Sequence, residues 1–293
     1  MTAAKKRANS IVMAGLVPAI HVGVLALGLT SAGFAQAPPD SPVSVELVAA
    51  QDGVAPGTTA TVAVRLVHRP HWHTYWRVPG DAGLPTRISW QLPAGFSAGE
   101  IGWPIPHRLP VGPLMDYGYE GEVMLLTDLS APAGLKAGET AQIGAQVKWL
   151  MCRDVCIPGS ADLKLALPVR EAAALHPTRW QPAIAAARAQ LPQPRVLDHA
   201  QARAEATRIR LSFKAPGGRA PSRLEFYPLD PGWIDAPAPQ TLSAAGDGTI
   251  TLELAAAEAP GPDFRSLRGV LVADGGPGLP AGWAATIDVA LTR

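Results

Sequence analysis

Thirty prolines and 29 glycines are spread through the 293 residues, about one position in five. Proline removes a backbone donor and clashes with the preceding helical turn, and glycine weakens a helix interior by about 1 kcal/mol. Such a chain can hold no long helix or coiled coil, and what remains open to it is short extended segments separated by turns. Hydrophobic residues make up 47% of the sequence, enough for a packed core and too many for a disordered chain. The length allows one or two domains. A net charge of +1 leaves no basic footprint, which argues against nucleic acid as a partner.

The first 37 residues stand apart. Lys5, Lys6 and Arg7 precede an apolar stretch from Ile11 to Phe34, and Ala35-Gln36-Ala37 is a small-x-small cleavage signature. Residues 1–37 read as a secretory signal peptide, with Pro18 and His21 spoiling the stretch as a membrane span. No later run reaches the roughly 18 apolar residues that a transmembrane helix needs. The expectation is a protein that does not span the membrane after cleavage and works in an oxidising compartment, read here as the bacterial periplasm.

Residues 38–168 read as the first domain. Val43 to Leu47 and Thr61 to Val67 alternate apolar and polar residues, and Arg87 to Gln91, Glu122 to Leu126, Ala141 to Met151 and Asp162 to Leu167 are further strands. Short strands at this spacing, punctuated by Pro, Gly and Asp, predict an immunoglobulin-like β-sandwich. The stretch from Pro93 to Met115 holds five prolines and reads as coil, long enough to suggest a functional loop. Residues 169–194 read as a short helical linker. In it Thr178 is the candidate N-cap, Trp180, Ile184, Ala187 and Leu191 lie on one face, and Pro192 and Pro194 stop the helix. Alternation resumes in residues 195–293, at Thr207 to Phe213, Arg223 to Phe226, Thr249 to Leu254, Arg268 to Val272 and Ala284 to Leu291, predicting a second, smaller β-sandwich. The fold class is therefore all-β, two sandwiches joined by a short helix.

The chain has two cysteines, Cys152 and Cys156. In an oxidising compartment the default is one disulfide. Four residues along a single strand span about 13 Å, against a limit near 7 Å for a bridge. A helical turn or a tight hairpin removes the difficulty. The strand pattern before Cys152, and Pro158 holding Ile157 extended, favour a hairpin with Arg153-Asp154-Val155 as its loop. A loop this short gains only about 2 kcal/mol from closure, against more than about 4 for a loop of 100 residues. Lys148 and Arg153 favour a thiolate here, and Asp154 opposes it. Three readings stand at this point: a redox pair, a structural staple, and a metal thiolate.

Other candidates come from the aromatic-rich stretch 71–119. His71 and His73 put two imidazoles at strand spacing, which with thiols could bind copper. The blander reading is a surface or aromatic-cluster role. Tyr117 and Tyr119, in a Gly-rich segment beside Asp116 and Glu120, read as exposed, with a capping or docking role. Pro79 to Gly83 reads as a turn, and nothing fixes the separation of Asp81, Asp116, Glu120 and Glu122 as a hydrolase-type acid pair.

The segment Trp149 to Pro158 resembles the cysteine segment of the N-terminal periplasmic domain of the thiol:disulfide interchange protein DsbD family, more closely its ScsB-like branch. His71-Trp72-His73-Thr74-Tyr75-Trp76, Pro79 to Thr86, Trp103-Pro104-Ile105-Pro106 and Tyr117 to Val123 resemble that branch in the same order. The resemblance is dense over 43–168 and weaker over 195–293, where the branch has a second sandwich. It implies that Cys152 and Cys156 are a redox pair needing no cofactor. They would take electrons from a separate membrane-embedded donor and pass them to periplasmic thioredoxin-like proteins as a protein-disulfide reductase component, in the setting of cytochrome c biogenesis or copper tolerance. It also implies a cap loop over the pair, matched here to Met115, Asp116, Tyr117 and Tyr119, and it points to Cys156 as the partner-facing sulfur. The alternatives are a copper-tolerance module using His71 and His73, and a non-catalytic sandwich with a structural disulfide.

Overall fold

The computed structural model describes residues 41–215, 219–257, 264–274 and 282–292; the signal-peptide reading of residues 1–37 lies outside them. The first part holds β1 (Val43–Ala49), β2 (Thr59–His68), β3 (His73–Gly80), β4 (Arg87–Gln91), β5 (Ser97–Ala98), β6 (His107–Val111), β7 (Leu114–Glu120), β8 (Glu122–Ser130), β9 (Thr140–Cys152) and β10 (Cys156–Pro168). One sheet runs β1-β2-β8-β5 and the other β10-β9-β3-β7-β6, with β4 also on β9. Between them lies a core built from alternate residues: Val62, Val64 and Leu66 of β2, Ile143, Val147 and Trp149 of β9, and Trp76, Tyr117 and Tyr119 of β3 and β7.

Ala63, between Val62 and Val64, is buried too, because the far side of the first sheet is covered there by α1 (Gln181–Ala189). Ile184 packs there on Val48, Ala63, Met124 and Leu126, with Trp180, Ala183, Ala187 and Leu191 beside it. The helical face read from the sequence is the face that packs. The helix itself is shorter than the Ala-rich stretch. Residues 172–174 form a 3-10 turn, and Thr178 sits two residues before the N-cap Trp180, its hydroxyl accepting from Trp180 N at 3.0 Å.

The stretch from Pro93 to Met115 is not all coil, as the sequence suggested. It contains β5 and most of a β6–β7 hairpin. Pro110 is tolerated because β6 is an edge strand, where a missing donor on the outer side breaks no ladder.

The second part comprises β11 (Gln193–Pro194), β12 (Gln201–Ala204), β13 (Arg208–Lys214), β14 (Leu224–Pro228), β15 (Thr241–Ala244), β16 (Thr249–Ala255), β17 (Ser266–Ala273) and β18 (Trp283–Thr292). They join in the order β14-β17-β18-β12-β13-β16-β15, with β11 on β18. Phe213, Phe226, Trp233 and their neighbours form a separate core. The two parts also share apolar surface: Tyr227, Ala236 and Val270 belong to the first core. The Tyr227 ring meets Tyr117 edge-on at 5.2 Å and Trp76 at 6.1 Å, and Arg108 Nη2 donates to Ala236 O at 2.7 Å.

Candidate redox site

β9 and β10 form one long hairpin whose pairing runs without a break from Pro168↔Thr140 to Cys156↔Cys152. Arg153-Asp154-Val155 is its loop, closed by Arg153 N donating to Val155 O at 3.2 Å. The two cysteines face each other at the last rung, Cα atoms 4.1 Å apart, and are disulfide-bonded. Their access differs. Cys152 is 3% exposed, whereas Cys156 lies open to solvent, flanked in the chain by Val155 (62% exposed) and Ile157 (38% exposed).

The neighbouring strands decide what else stands at this tip. Cys152 pairs with His73 of β3, and β3 pairs with β7 as His73↔Glu120, Thr74↔Tyr119 and Tyr75↔Gly118. Directly opposite residues share a face of the sheet, and successive residues alternate. His73, Tyr75 and Asp116 therefore stand on the cysteine face, and Thr74, Trp76, Tyr117 and Tyr119 point into the core. The Tyr75 hydroxyl lies 3.9 Å from Cys156 Sγ and 3.4 Å from His73 Nε2. His73 Nε2 is 3.7 Å from Asp116 Oδ2.

Residues 81–85 cover this cluster. Ala82 N donates to Asp116 Oδ1 at 3.2 Å, and Tyr75 bridges to Pro85. Gly83 has φ +95°, and a Cβ there would come within 2.2 Å of the Tyr75 ring, so only glycine lets the loop lie on that ring. Pro79 and Gly80, read as part of a turn, are instead the end of β3; the bend comes at Asp81 and Ala82, and the loop it begins also seals Tyr75.

Burial sets the electrostatics. Desolvation pushes the Asp116 carboxyl up, against the Ala82 N–H and the neighbouring His73 and Tyr75, which favour its anion. It holds His73 down, so the imidazole is neutral near pH 7, and it raises the Tyr75 phenol, which stays protonated. Arg153, read as a thiolate-favouring charge, is turned elsewhere: it pairs with Asp154 at 2.7 Å and lies over the Trp72 ring at 5.4 Å.

The cap reading of Met115, Tyr117 and Tyr119 is not what the structure shows. Residues 114–120 are a strand, Tyr117 and Tyr119 are buried on the opposite face from the cysteines, and Met115 packs on the same core. Tyr117 is pressed against Tyr227, which pushes its phenol up to about 12 by burial, and Tyr119 donates to Pro104 O at 2.7 Å. Of the four, Asp116 alone reaches the redox cluster. The paired imidazoles are not realised either. His71 is an exposed turn residue with φ 68°, and His73 is a buried strand residue facing Asp116. Among the described residues no group of three or more His, Cys, Asp or Glu is arranged to hold a metal ion, and no helix is long and apolar enough to cross a membrane.

Tyr75 was missed as a site residue. Its signal was the alternation in His73-Thr74-Tyr75-Trp76, which puts His73 and Tyr75 on one face. That the face is the cysteine face follows only from the Cys152↔His73 pairing.

Residues 44–168 match the family model described as thiol:disulfide interchange protein DsbD, N-terminal. The crystal structure of the N-terminal periplasmic domain of ScsB from Proteus mirabilis superposes with a TM-score of 0.62 at 18% identity, covering 88% of this chain and 97% of that one. At that identity the likeness is one of fold, and it spans both β-parts. A protein of unknown function from Porphyromonas gingivalis W83 aligns over 86% of this chain and 100% of its own, at 8% identity and a TM-score of 0.25, too loose to carry an argument. No curated protein sequence matches the chain.

Proposed function

Residues 44–168 being a DsbD N-terminal-like domain, we propose that this protein is a periplasmic thiol–disulfide exchange module. It takes electrons from a membrane-embedded donor and passes them to thioredoxin-like proteins through Cys152 and Cys156. The observation that carries this reading is the unequal access of the two sulfurs at the tip of a hairpin. Cys156 is open to a macromolecular partner and Cys152 is shielded behind it.

Unequal access supports one order of events. In the reduced protein the Cys156 thiolate attacks a partner disulfide, forming a mixed disulfide and releasing one partner thiolate. Cys152, within bonding distance at the same rung, then attacks Cys156 Sγ and releases the second. Two electrons and two protons leave with the partner, and the Cys152–Cys156 disulfide is regenerated. Val155, Ile157 and Leu84 give the partner exposed apolar surface at and near the sulfur. As a staple the bridge has little to do, because it joins strands that the hairpin already pairs over their whole length.

Equilibration with a glutathione buffer tests the reading. An exchanger should lie between roughly −270 and −120 mV, and a value below about −300 mV would make the bridge a staple. Cys152→Ser should trap a mixed disulfide with a thioredoxin-like partner and Cys156→Ser should trap none; the reverse pattern would refute the order of attack.

A further inference from the structure

A cleft of about 530 Å³ opens along the seam between the two β-parts, within the size range of small-molecule sites. One wall is the end of β3, with Val78 and Gly80, followed by Asp81. The other is the segment 231–236. Asp235 N donates to Ala255 O at 3.0 Å and Ala257 N to Trp233 O at 3.2 Å, which ties that segment to the end of β16. Arg108 Nη2, donating to Ala236 O at 2.7 Å, ties it to β6 as well. The walls are therefore built, and they come from both β-parts.

Tyr117 of β7 lines the cleft. Its hydroxyl is buried and makes no hydrogen bond among the described residues. A buried polar group left unpaired costs about 1–3 kcal/mol. Tyr227, edge-on at 5.2 Å, packs on the ring and does not need the hydroxyl, so phenylalanine would fill the same space without that cost. The unpaired hydroxyl points to a partner that enters by way of the cleft. Charge says what the partner is. Among the described residues that line the cleft, Asp81 and Asp235 are the charged ones, one from each β-part, and both are exposed. Asp81 uses Oδ2 to accept from Met115 N at 2.8 Å, which leaves Oδ1. The Asp235 carboxylate has no ion pair among the described residues. The other charges near Tyr117 are engaged: Arg108 with the Ala236 carbonyl, and Glu225 with Arg223 at 2.6 Å and the Tyr227 hydroxyl at 2.9 Å. Val78, Pro228, Ile234 and Ala256 make the remaining surface largely apolar.

We propose that this cleft binds a small organic cation, an ammonium or guanidinium group on a short apolar stem. Asp81 and Asp235 hold it by charge, and one of its N–H groups donates to the Tyr117 hydroxyl. The site uses neither cysteine and stands apart from the exchange reading.

Calorimetric titration of the full chain with cadaverine, 1,5-pentanediol and glutarate tests the proposal. The three share a five-carbon skeleton and differ in charge, and near neutral pH both cadaverine amines are protonated. Saturable one-to-one binding is expected for cadaverine alone. Asp235→Asn should weaken it about ten-fold or more. Tyr117→Phe should weaken it roughly ten-fold, about the value of a hydrogen bond to a charged group. Asp235 is exposed and phenylalanine keeps the ring on Tyr227, so both variants should fold. The denaturation midpoint of Tyr117→Phe should not fall, because the hydroxyl it loses has no partner; a fall would mean that the hydroxyl is already satisfied, and would overturn the proposal. Asp162→Asn, which removes an exposed carboxylate of β10 outside the cleft, should bind cadaverine as the wild type does. An equal loss in that variant would mean that the cation only gathers on an acidic surface, and the proposal fails. It fails also if cadaverine shows no saturable binding, if pentanediol binds equally well, or if binding survives both Asp235→Asn and Tyr117→Phe.

Discussion

The two faces of the β3–β7 strand pair do opposite work. One carries His73, Tyr75 and Asp116 beneath an exposed sulfur, a cluster of titratable groups set by burial and short contacts. The other, a residue away at each step, carries Trp76, Tyr117 and Tyr119, which are apolar and buried, with Tyr227 of the second β-part wedged against two of them. Neighbours in sequence such as Asp116 and Tyr117 therefore belong to different problems, proton affinity on one side and packing on the other. The pleat keeps them apart, so substitutions should divide by parity along the strand rather than by nearness in the chain.

The strongest test removes the wedge. Tyr227→Ala should cost about 3–5 kcal/mol, as for other large aromatic truncations in a core, measured by chemical denaturation. The Cys156 alkylation rate of the molecules that remain folded should not change. A rate that moves together with stability would show that the two faces are coupled and break the comparison. A smaller effect is expected from the cysteine face. Cys152→Ser with Cys156→Ser should lose exchange entirely yet cost no more than about 2–3 kcal/mol, since the bridge closes a very short loop; an unfolded double variant would return the disulfide to a structural role. The smallest effect compares one histidine from each side. His68, hydrogen-bonded to Gly121 O and Thr74 Oγ1, and His73 on the cysteine face are both held down by burial. Between the lowered folded pKa and the ordinary value near 6.5 the unfolded chain binds more protons, so stability falls as the pH drops through that window. Asp116, raised by burial, acts in the opposite sense, costing stability above its folded pKa and less as acid protonates it. Denaturation midpoints measured from neutral pH into mild acid should decline, and His68→Gln and His73→Gln should each flatten the slope. A midpoint that rises on acidification would mean that the carboxyl on the cysteine face outweighs both imidazoles.

Much of the first sandwich was legible because its signals are local. Alternation placed β1, β2, β4 and β9, and the four-residue cysteine spacing, with Pro158 after it, gave the hairpin and its three-residue loop. The linker helix showed its packed face through Trp180, Ile184, Ala187 and Leu191. What failed was non-local. Met115 to Tyr119 looks like a loop because of Gly118 and its acidic neighbours. Gly118, however, sits opposite Tyr75, where a Cβ would come within 2.2 Å of Thr74 O. The burial of Tyr117 depends on Tyr227, 110 positions later, and no pattern around either residue announces the other. Asp116 comes into view through the resemblance to the family's cap loop, and its place beside the cysteines follows only from pairing through β3.

The difference in depth between the two sulfurs bears on how the protein survives its surroundings. A small thiol or oxidant reaching the site meets Cys156 and can leave an adduct only there. Behind every such adduct stands Cys152, out of the intruder's reach and held at the same rung by the β9–β10 ladder. Its attack releases a thiol from a mixed disulfide, or water from a sulfenic acid, and restores the disulfide without unpairing the hairpin. Under the exchange function proposed above, such an adduct drains into a state the protein visits in each cycle, and the buried cysteine would serve maintenance as well as exchange.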